Sequence, residues 1–182
     1  MKAVVAGALL LSTGAWAQDE ARLTGAELGV GVGYAQGEDR ESEKHGGPGV
    51  RLHLLKHLGR FFSIGPEVAV YAGAGSRTDV TFEGGQHYYD TKNRALFQLG
   101  GVARLGVDLG PVRPAVLFGA GWNKGTVSNL GYSVGAELEF RPTPWLPLAL
   151  EGRLHKNLYN YTYETDRKAD YLSLGIGWRL NW

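Results

Sequence analysis

The sequence predicts an all-β chain that folds as an eight-stranded antiparallel up-and-down β-barrel. Apolar and polar residues alternate with a period of two in segment after segment, which is typical of half-buried strands. The 182 residues include 28 glycines, a share that disfavours a helical bundle. Long and short connectors also alternate between the segments, which is typical of an up-and-down barrel with short turns at one end and longer loops at the other.

The composition excludes several other classes of protein. The chain has no Cys, so a disulfide scaffold and a Cys-based metal site are excluded. Lys and Arg together number 19 against 18 for Asp and Glu, and no basic block occurs, so we expect no nucleic-acid partner. The glycines of Gly29-x-Gly31-x-Gly33 alternate within a strand and precede no helix, which disfavours a phosphate cradle.

Residues 1–17 are predicted to be an export signal. Lys2 is followed by an apolar run over 3–11 and by the small residues Ala15 and Ala17 at the expected cleavage site. The apolar run is shorter than the ~20 residues that a spanning helix needs. We therefore divide the chain into this signal peptide, a short periplasmic lead at 18–25 and a barrel at 26–182.

The first four predicted strands carry apolar residues at alternate positions. They span 26–35, 49–58, 62–73 and 94–107. Their apolar residues are Leu28, Val30, Val32 and Tyr34; Val50, Leu52 and Leu54; Ile64, Pro66, Val68 and Val70; and Phe97, Leu99, Ala103, Leu105 and Val107. Each strand therefore has one apolar face.

The last four predicted strands follow the same rule. They span 112–122, 130–141, 147–157 and 169–182. Their apolar residues are Val112, Val116, Phe118 and Trp122; Tyr132, Val134, Ala136, Leu138 and Phe140; Leu148, Leu150 and Leu154; and Leu172, Leu174, Ile176, Trp178, Leu180 and Trp182. Long connectors are predicted at 36–48, 74–93, 123–129 and 158–168, and tight turns at 59–61, 108–111 and 142–146.

This alternation fits two barrels that are inside out relative to each other. A soluble exported ligand-binding barrel turns its apolar face inward, whereas a transmembrane barrel turns it to lipid. Glycines on the polar face and the unequal connectors favour the transmembrane barrel. Aromatic residues near the strand ends favour it as well: Tyr34, Phe97, Trp122 and Tyr132 at one rim, and Phe62, Phe140, Trp178 and Trp182 at the other.

With a last strand that steps by two to a terminal aromatic, the sequence resembles the small eight-stranded outer-membrane barrels of Gram-negative bacteria, the opacity-protein and porin-like families. The resemblance covers roughly 26–182 and implies the cell outer membrane as location. It implies the lipid bilayer and lipopolysaccharide as surroundings, and the barrel assembly machinery as a partner. The assembly signal would comprise Leu174, Ile176, Trp178, Leu180 and Trp182.

The polar face predicts a network of buried charges in the lumen. Eight strands leave a lumen that side chains fill, so we expect no wide pore. Buried charges are tolerated only in pairs, and we expect Arg113 to face Glu139 and Arg179 to lie near Glu27. The predicted network is Glu27, Glu67, Arg104, Arg113, Glu137, Glu139, Glu151, Arg153 and Arg179. A proton or ion path, or a catalytic carboxylate pair, is the alternative.

We predict no catalytic residue, no metal site and no cofactor. His53 and His57 share one face two pleats apart, too far to chelate one ion directly. Some eight-stranded barrels modify lipid A with a His and a Ser near the outer rim. His155 is the rim histidine here, and the sequence places no Ser beside it or beside another His.

The predicted loops are the candidate interaction sites. Tyr159, Tyr161 and Tyr163 alternate in the loop at 158–168 and could offer contact area at low entropic cost. They could equally extend the seventh strand, or shield the barrel mouth. We therefore expect an integral outer-membrane barrel with a structural or surface-interaction role. A soluble exported ligand-binding barrel is the alternative, and an outer-leaflet lipid A-modifying enzyme is third.

The first testable prediction concerns the terminal aromatic residue. We expect the mature chain to fractionate with the outer membrane and to change its electrophoretic mobility on boiling in SDS. The chain that lacks Trp182 should assemble less well, because the last strand then loses the end of its apolar register. A chain that stays in the soluble fraction and is indifferent to the truncation would mean that the barrel is inside out.

Overall fold

A computed structural model describes residues 25–38, 44–125, 128–143, 147–158 and 170–182 of the chain. The predicted signal peptide at 1–17, its cleavage site at Ala15 and Ala17, and residues 18–24 of the predicted lead lie outside the described residues. The same holds for Tyr159, Tyr161 and Tyr163.

Eight antiparallel strands form one closed barrel in which each strand pairs with its neighbours in chain order. They are β1 (Ala26–Glu38), β2 (Lys44–His57), β3 (Phe62–Glu83), β4 (Gln86–Gly106), β5 (Val112–Lys124), β6 (Ser128–Phe140), β7 (Leu148–Asn157) and β8 (Tyr171–Asn181). The predicted fold class is confirmed. Within the described ranges, no helix has the length and apolar character to cross a membrane.

Pairing of β1 with β8 closes the barrel. The register runs from Glu27 opposite Asn181 to Gly37 opposite Tyr171. The backbones of Ala26 and Trp182 also exchange two hydrogen bonds, of 2.8 and 3.0 Å. The terminal Trp182 is therefore attached to the first strand, and the closing seam extends to the end of the sequence.

The two faces of the barrel differ as the alternation predicts. Large apolar side chains such as Val32, Leu99 and Leu174 point outward and are more than half exposed. Charged and small residues alternate with them and point into the lumen, where Glu27 and Arg104 have no exposed surface. A barrel with this arrangement places its apolar surface where lipid can cover it.

The predicted connectors at 36–48, 74–93 and 123–129 are corrected by the structure. Strand β3 continues to Glu83 and β4 begins at Gln86, so the predicted loop at 74–93 is largely a two-stranded ribbon. Gly84 and Gly85 connect its strands with φ of +60° and +81°, the conformation that a two-residue hairpin turn requires. Strands also extend over 36–38 and 44–48, and over 123–124 and 128–129.

The ribbon escaped prediction because its strand residues are mostly polar. A register shift between Tyr71 and Gly75, with Gly73 at φ +74°, separates it from the part of β3 that lines the barrel. Beyond this bulge, apolar alternation no longer marks the strand, because neither face is required to be apolar. We call the end of the barrel with the four hairpins β1–β2, β3–β4, β5–β6 and β7–β8 the loop end, and the opposite end, with both termini, the turn end.

Candidate functional site

An ion pair that spans the lumen lies near the turn end. Arg104 projects from β4 and Glu27 from β1, which are not neighbouring strands. The guanidinium donates two hydrogen bonds to the carboxylate, Nη1 to Oε1 at 2.8 Å and Nη2 to Oε2 at 2.5 Å. This two-pronged geometry is the strongest form of an Arg–carboxylate contact. Because both side chains are fully buried, neither charge has water as an alternative partner.

Arg179 and Glu137 extend this pair into a larger cluster. Arg104 Nη1 lies 3.3 Å from Glu137 Oε1, and Arg179 contacts the other oxygen of the same carboxylate. Arg179 Nε also lies 3.7 Å from Glu27 Oε1. His53 lies between them, with its Nε2 atom 2.8 Å from Arg179 Nη1 and 3.3 Å from Glu27 Oε1. Two arginines therefore share two glutamates in the part of the lumen near the turn end.

A second cluster lies farther toward the loop end and joins β2 and β3 to β7. Arg153 binds Glu67 across the lumen, with 2.8 Å between Nη2 and Oε2, and its Nε lies 2.8 Å from Glu151 Oε1. Arg51 contacts Glu151 directly, and its Nε lies 3.8 Å from Glu67 Oε2. The two clusters meet where Arg179 Nη2 lies 3.7 Å from Glu151 Oε2.

The lumen of the described barrel balances its formal charges. Five arginines face five glutamates: Arg51, Arg104, Arg113, Arg153 and Arg179, with Glu27, Glu67, Glu137, Glu139 and Glu151. An unpaired charge in such a site is strongly unfavourable, so the composition of the inward face fits a filled interior.

The structure brings the residues of the predicted network together, with one difference in pairing. Arg113 and Glu139 are opposite each other in the β5–β6 register, as expected. Glu139 nevertheless forms its close contact with Arg141, 2.5 Å from Nε to Oε1. Arg141 also binds Asp108, at 2.8 Å. Arg113 is buried beside them and forms no ion pair with a carboxylate of the described residues.

The predicted network omits Arg51 of the inward face and two residues at the turn end: Arg141, which binds Glu139, and Asp108, which binds Arg141. Arg51 occupies the inward register of β2, so its alternation with Val50 and Leu52 was the signal that could have added it to the network. Arg141 and Asp108 lie just beyond strand ends, where alternation gives no indication of direction. Only the proximity of neighbouring turns brings them together.

Glycines on the inward face make room for the large ionic side chains. A Cβ atom on Gly29 would lie 2.1 Å from His53 Nε2 and 2.2 Å from Arg179 Nη1. A Cβ atom on Gly135 would lie 2.5 Å from Cγ of Arg153. The high glycine content thus has a steric reason in the lumen.

Toward the loop end the ionic clusters give way to uncharged polar groups. Tyr171 donates to Gln98 Oε1 at 3.2 Å and lies 3.3 Å from Asn123 Oδ1, and Asn123 Nδ2 donates to Asn157 Oδ1 at 2.9 Å. A cavity of about 20 Å³ lies beside Arg51 and the glycines of β1 and β8. This volume holds about one water molecule and no larger solute.

Two Ser–His contacts correct the expectation that no serine lies beside a histidine. His57 Nδ1 lies 2.7 Å from Ser63 Oγ, and His155 Nε2 lies 3.0 Å from Ser173 Oγ. Each pair joins adjacent strands, so sequence separation concealed it. All four side chains are buried on the inward face, and the lipid surface lies on the other side of the barrel wall.

The histidines of the described barrel have separate surroundings. His53 lies among Arg179 and Glu27, and His57 contacts Ser63 and Asn181. In the part of the chain that the structure describes, no three His, Cys, Asp or Glu side chains are grouped as a metal site would require. The absence of a metal or cofactor site stays a prediction.

The chain matches a protein-family model, and several solved structures have a similar fold. Residues 3–181 match the model of the outer membrane protein β-barrel domain. Neisserial surface protein A has a similar structure, with a TM-score of 0.64 and 15% sequence identity over 86% of this chain and 97% of that one. Ail, the attachment invasion locus protein of Yersinia pestis, gives a TM-score of 0.50 and 12% identity over 87% and 99%. No curated protein matches the sequence.

The second prediction tests the central ion pair. Replacing Arg104 with Met should lower the free energy of unfolding by about 3–5 kcal/mol, because Glu27 is left as a buried charge without its main partner. The double variant Arg104→Met with Glu27→Gln should recover part of this loss. Urea unfolding of the folded barrel in detergent micelles measures both.

Lys156→Gln provides the matched control for this prediction. It removes an ion pair of 2.5 Å with Asp170 that is exposed at the loop end, so stability should not change measurably. An Arg104→Met barrel as stable as the parent would show that the lumen pair is dispensable.

Proposed function

The chain belongs to the family of outer membrane proteins with a β-barrel domain and is located in the outer membrane, and from this premise we propose that it is a closed barrel plugged by salt bridges, with a structural or surface-interaction role. Its extracellular loops make the interactions, and the barrel holds them at the cell surface. Its surroundings are the bilayer and lipopolysaccharide, and the barrel assembly machinery inserts it through the last strand.

The observation that carries the proposal is the set of ion pairs across the lumen. Arg104 on β4 binds Glu27 on β1, and Arg153 on β7 binds Glu67 on β3. These contacts cross the space that a channel would occupy. They support a plug rather than a pore, because opening a path would separate buried opposite charges.

The surface role is supported by the form of the loop end. Strands β3 and β4 continue as a ribbon beyond their bulge, and exposed residues such as Thr81, Phe82 and Gln86 lie close to its turn. In the proposed orientation this ribbon lies beyond the membrane, where a partner could reach it. Ail, whose fold is similar, is named for attachment and invasion, and attachment is the kind of role we propose for this chain.

A non-enzymatic role is part of the proposal. An enzyme that modifies lipid A needs its nucleophile and base where an acyl chain can reach them. Ser173 and His155 are buried inside the barrel, and Ser173 also accepts a hydrogen bond from Arg51 at 3.0 Å. We propose that these contacts serve packing of the lumen. The soluble exported ligand-binding barrel, which the sequence left open, does not agree with the family's location in the outer membrane.

The third prediction tests the plug. Liposomes that contain the folded barrel should swell in an isotonic sugar solution no faster than liposomes without protein, because the ion pairs leave no path for a solute. A general porin in parallel liposomes provides the positive control. Swelling comparable to that of the porin would contradict the plug and would leave the fold unaffected.

The fourth prediction tests the loop tyrosines. Cells that display the barrel should attach to a cultured epithelial monolayer, and the variant with Tyr159, Tyr161 and Tyr163 all changed to Ser should attach no better than cells without the protein. Loss of aromatic contact area is the physical reason. The control variant changes Asp166, Arg167 and Lys168 of the same loop to Ser and should attach like the parent. If both variants attach as well as the parent at equal surface amounts, the interaction belongs to another part of the loop end.

A further inference from the structure

Lys124 occupies an unusual place on the outward surface of the barrel. It is the last residue of β5, on the outward register, and its Nζ atom lies 5.9 Å from the ring centroid of Trp122. Trp122 is itself fixed by an edge contact with Phe97 at 6.2 Å and by a hydrogen bond from its Nε1 to Ser128 Oγ at 2.7 Å. The cation is therefore held against an ordered aromatic pair on the surface that faces the membrane.

A second cation lies on the same side of the barrel. Lys156 is next to the last residue of β7 and is opposite Tyr132 in the β6–β7 register. Its amine binds Asp170 at 2.5 Å, and 54% of its side chain is exposed. Strand β6 separates the two lysines, and the registers of Lys124 with Ser128 and of Lys156 with Tyr132 place their Cα atoms roughly 16 Å apart.

The surface below these lysines is apolar. Leu99 and Leu130 point outward opposite Trp122 in the β4–β5 and β5–β6 registers, and Leu154 lies two residues from Lys156 toward the turn end. Each of the three is more than half exposed. This side of the barrel thus presents cations beside aromatic rings and exposed aliphatic side chains. We call it the β5–β7 patch, comprising Trp122, Lys124, Tyr132 and Lys156 with these three leucines.

The charges of the patch call for an anionic partner. No carboxylate of the described residues forms an ion pair with Lys124. Asp170 neutralises Lys156 only in part, because the side chains of both Lys156 and Asp170 remain accessible to solvent. A cation at the boundary of the hydrocarbon attracts the phosphate of a lipid headgroup. An aromatic ring beside it suits the same depth, where the sugar and ester groups of lipids lie.

We propose that the β5–β7 patch is a binding site for one lipopolysaccharide molecule of the outer leaflet, through the phosphorylated disaccharide of its lipid A. Lys124 binds one phosphate and Lys156 the other. Trp122 and Tyr132 contact the sugars, and the three leucines contact the acyl chains. A diacyl phospholipid with one phosphate would engage a single lysine and less of the apolar surface. The inference rests on the proposed orientation, with the loop end at the cell surface.

The test uses the full mature barrel, folded in detergent micelles and incubated with purified bisphosphorylated lipid A. Native mass spectrometry counts the lipid retained, and titration gives the affinity. Dephosphorylated lipid A and phosphatidylglycerol form the comparison arms. The test variant is Lys124→Gln with Lys156→Gln. The matched control is Lys44→Gln, an exposed lysine at the loop end of β2, on another side of the barrel.

We expect the parent and Lys44→Gln to retain bisphosphorylated lipid A equally. The double variant should bind it about tenfold more weakly, which is the effect expected for the loss of two surface cations near phosphates. The proposal is overturned if the double variant binds as the parent does, if dephosphorylated lipid A binds as tightly, or if phosphatidylglycerol binding depends on the lysines to the same extent. The mobility shift on boiling, measured in the same samples, verifies folding. Liposome swelling reports on the plug independently, so failure of this site is distinguishable from failure of the proposed function.

Discussion

The pairing of opposite charges inside the lumen is the constraint on which the rest of the structure depends. A barrel that is apolar outside must direct its other side chains inward, and eight strands enclose a space that those side chains fill. The inward face carries five arginines and five glutamates, and most of them bind a partner on another strand. Arg51, Arg104, Arg153 and Arg179 each contact a carboxylate there, and such pairing offsets the cost of burying a charge.

This constraint explains features that have no obvious connection in the sequence. The guanidinium of Arg179 occupies space that a side chain at position 29 would need, and Gly29 provides that space. Pairing also joins strands that share no backbone hydrogen bonds, since β4 reaches β1 through Arg104 and β7 reaches β3 through Arg153. The lumen thus connects opposite walls of a barrel whose backbone connects only neighbouring strands.

The outward surface follows a different rule along its length. Its middle carries large aliphatic side chains, whereas its ends carry aromatic and charged groups that match the layers of a membrane. Lys124 and Trp122 belong to this gradient, and so does the polar ribbon of β3 and β4 beyond it. A single barrel therefore combines an interior of paired charges, a lipid-facing belt and a loop end, to which we assign separate roles in the proposed function.

The sequence by itself determined the strands and their faces. Strict alternation at positions such as Val30, Val32 and Tyr34 depends only on neighbouring residues, because successive side chains point to opposite sides of a strand. The same periodicity put Glu27 and Arg104 on the polar faces of their strands, whereas the inward direction of those faces was predicted from the glycines, the unequal connectors and the aromatic residues near the strand ends. The prediction of a loop at 74–93 was wrong, because the ribbon there is mostly polar and has no apolar alternation that would indicate its strands.

Only the tertiary structure decided which inward groups meet. Barrel closure and strand stagger bring Arg104 to Glu27, 77 residues away, and bring Ser173 to His155 on the next strand. Glu139 contacts Arg141, which follows it by two residues in the sequence, and not its register partner Arg113. Alternation assigns a side chain to a face but carries no information about height or angle around the barrel axis, and these two coordinates determine the contacts.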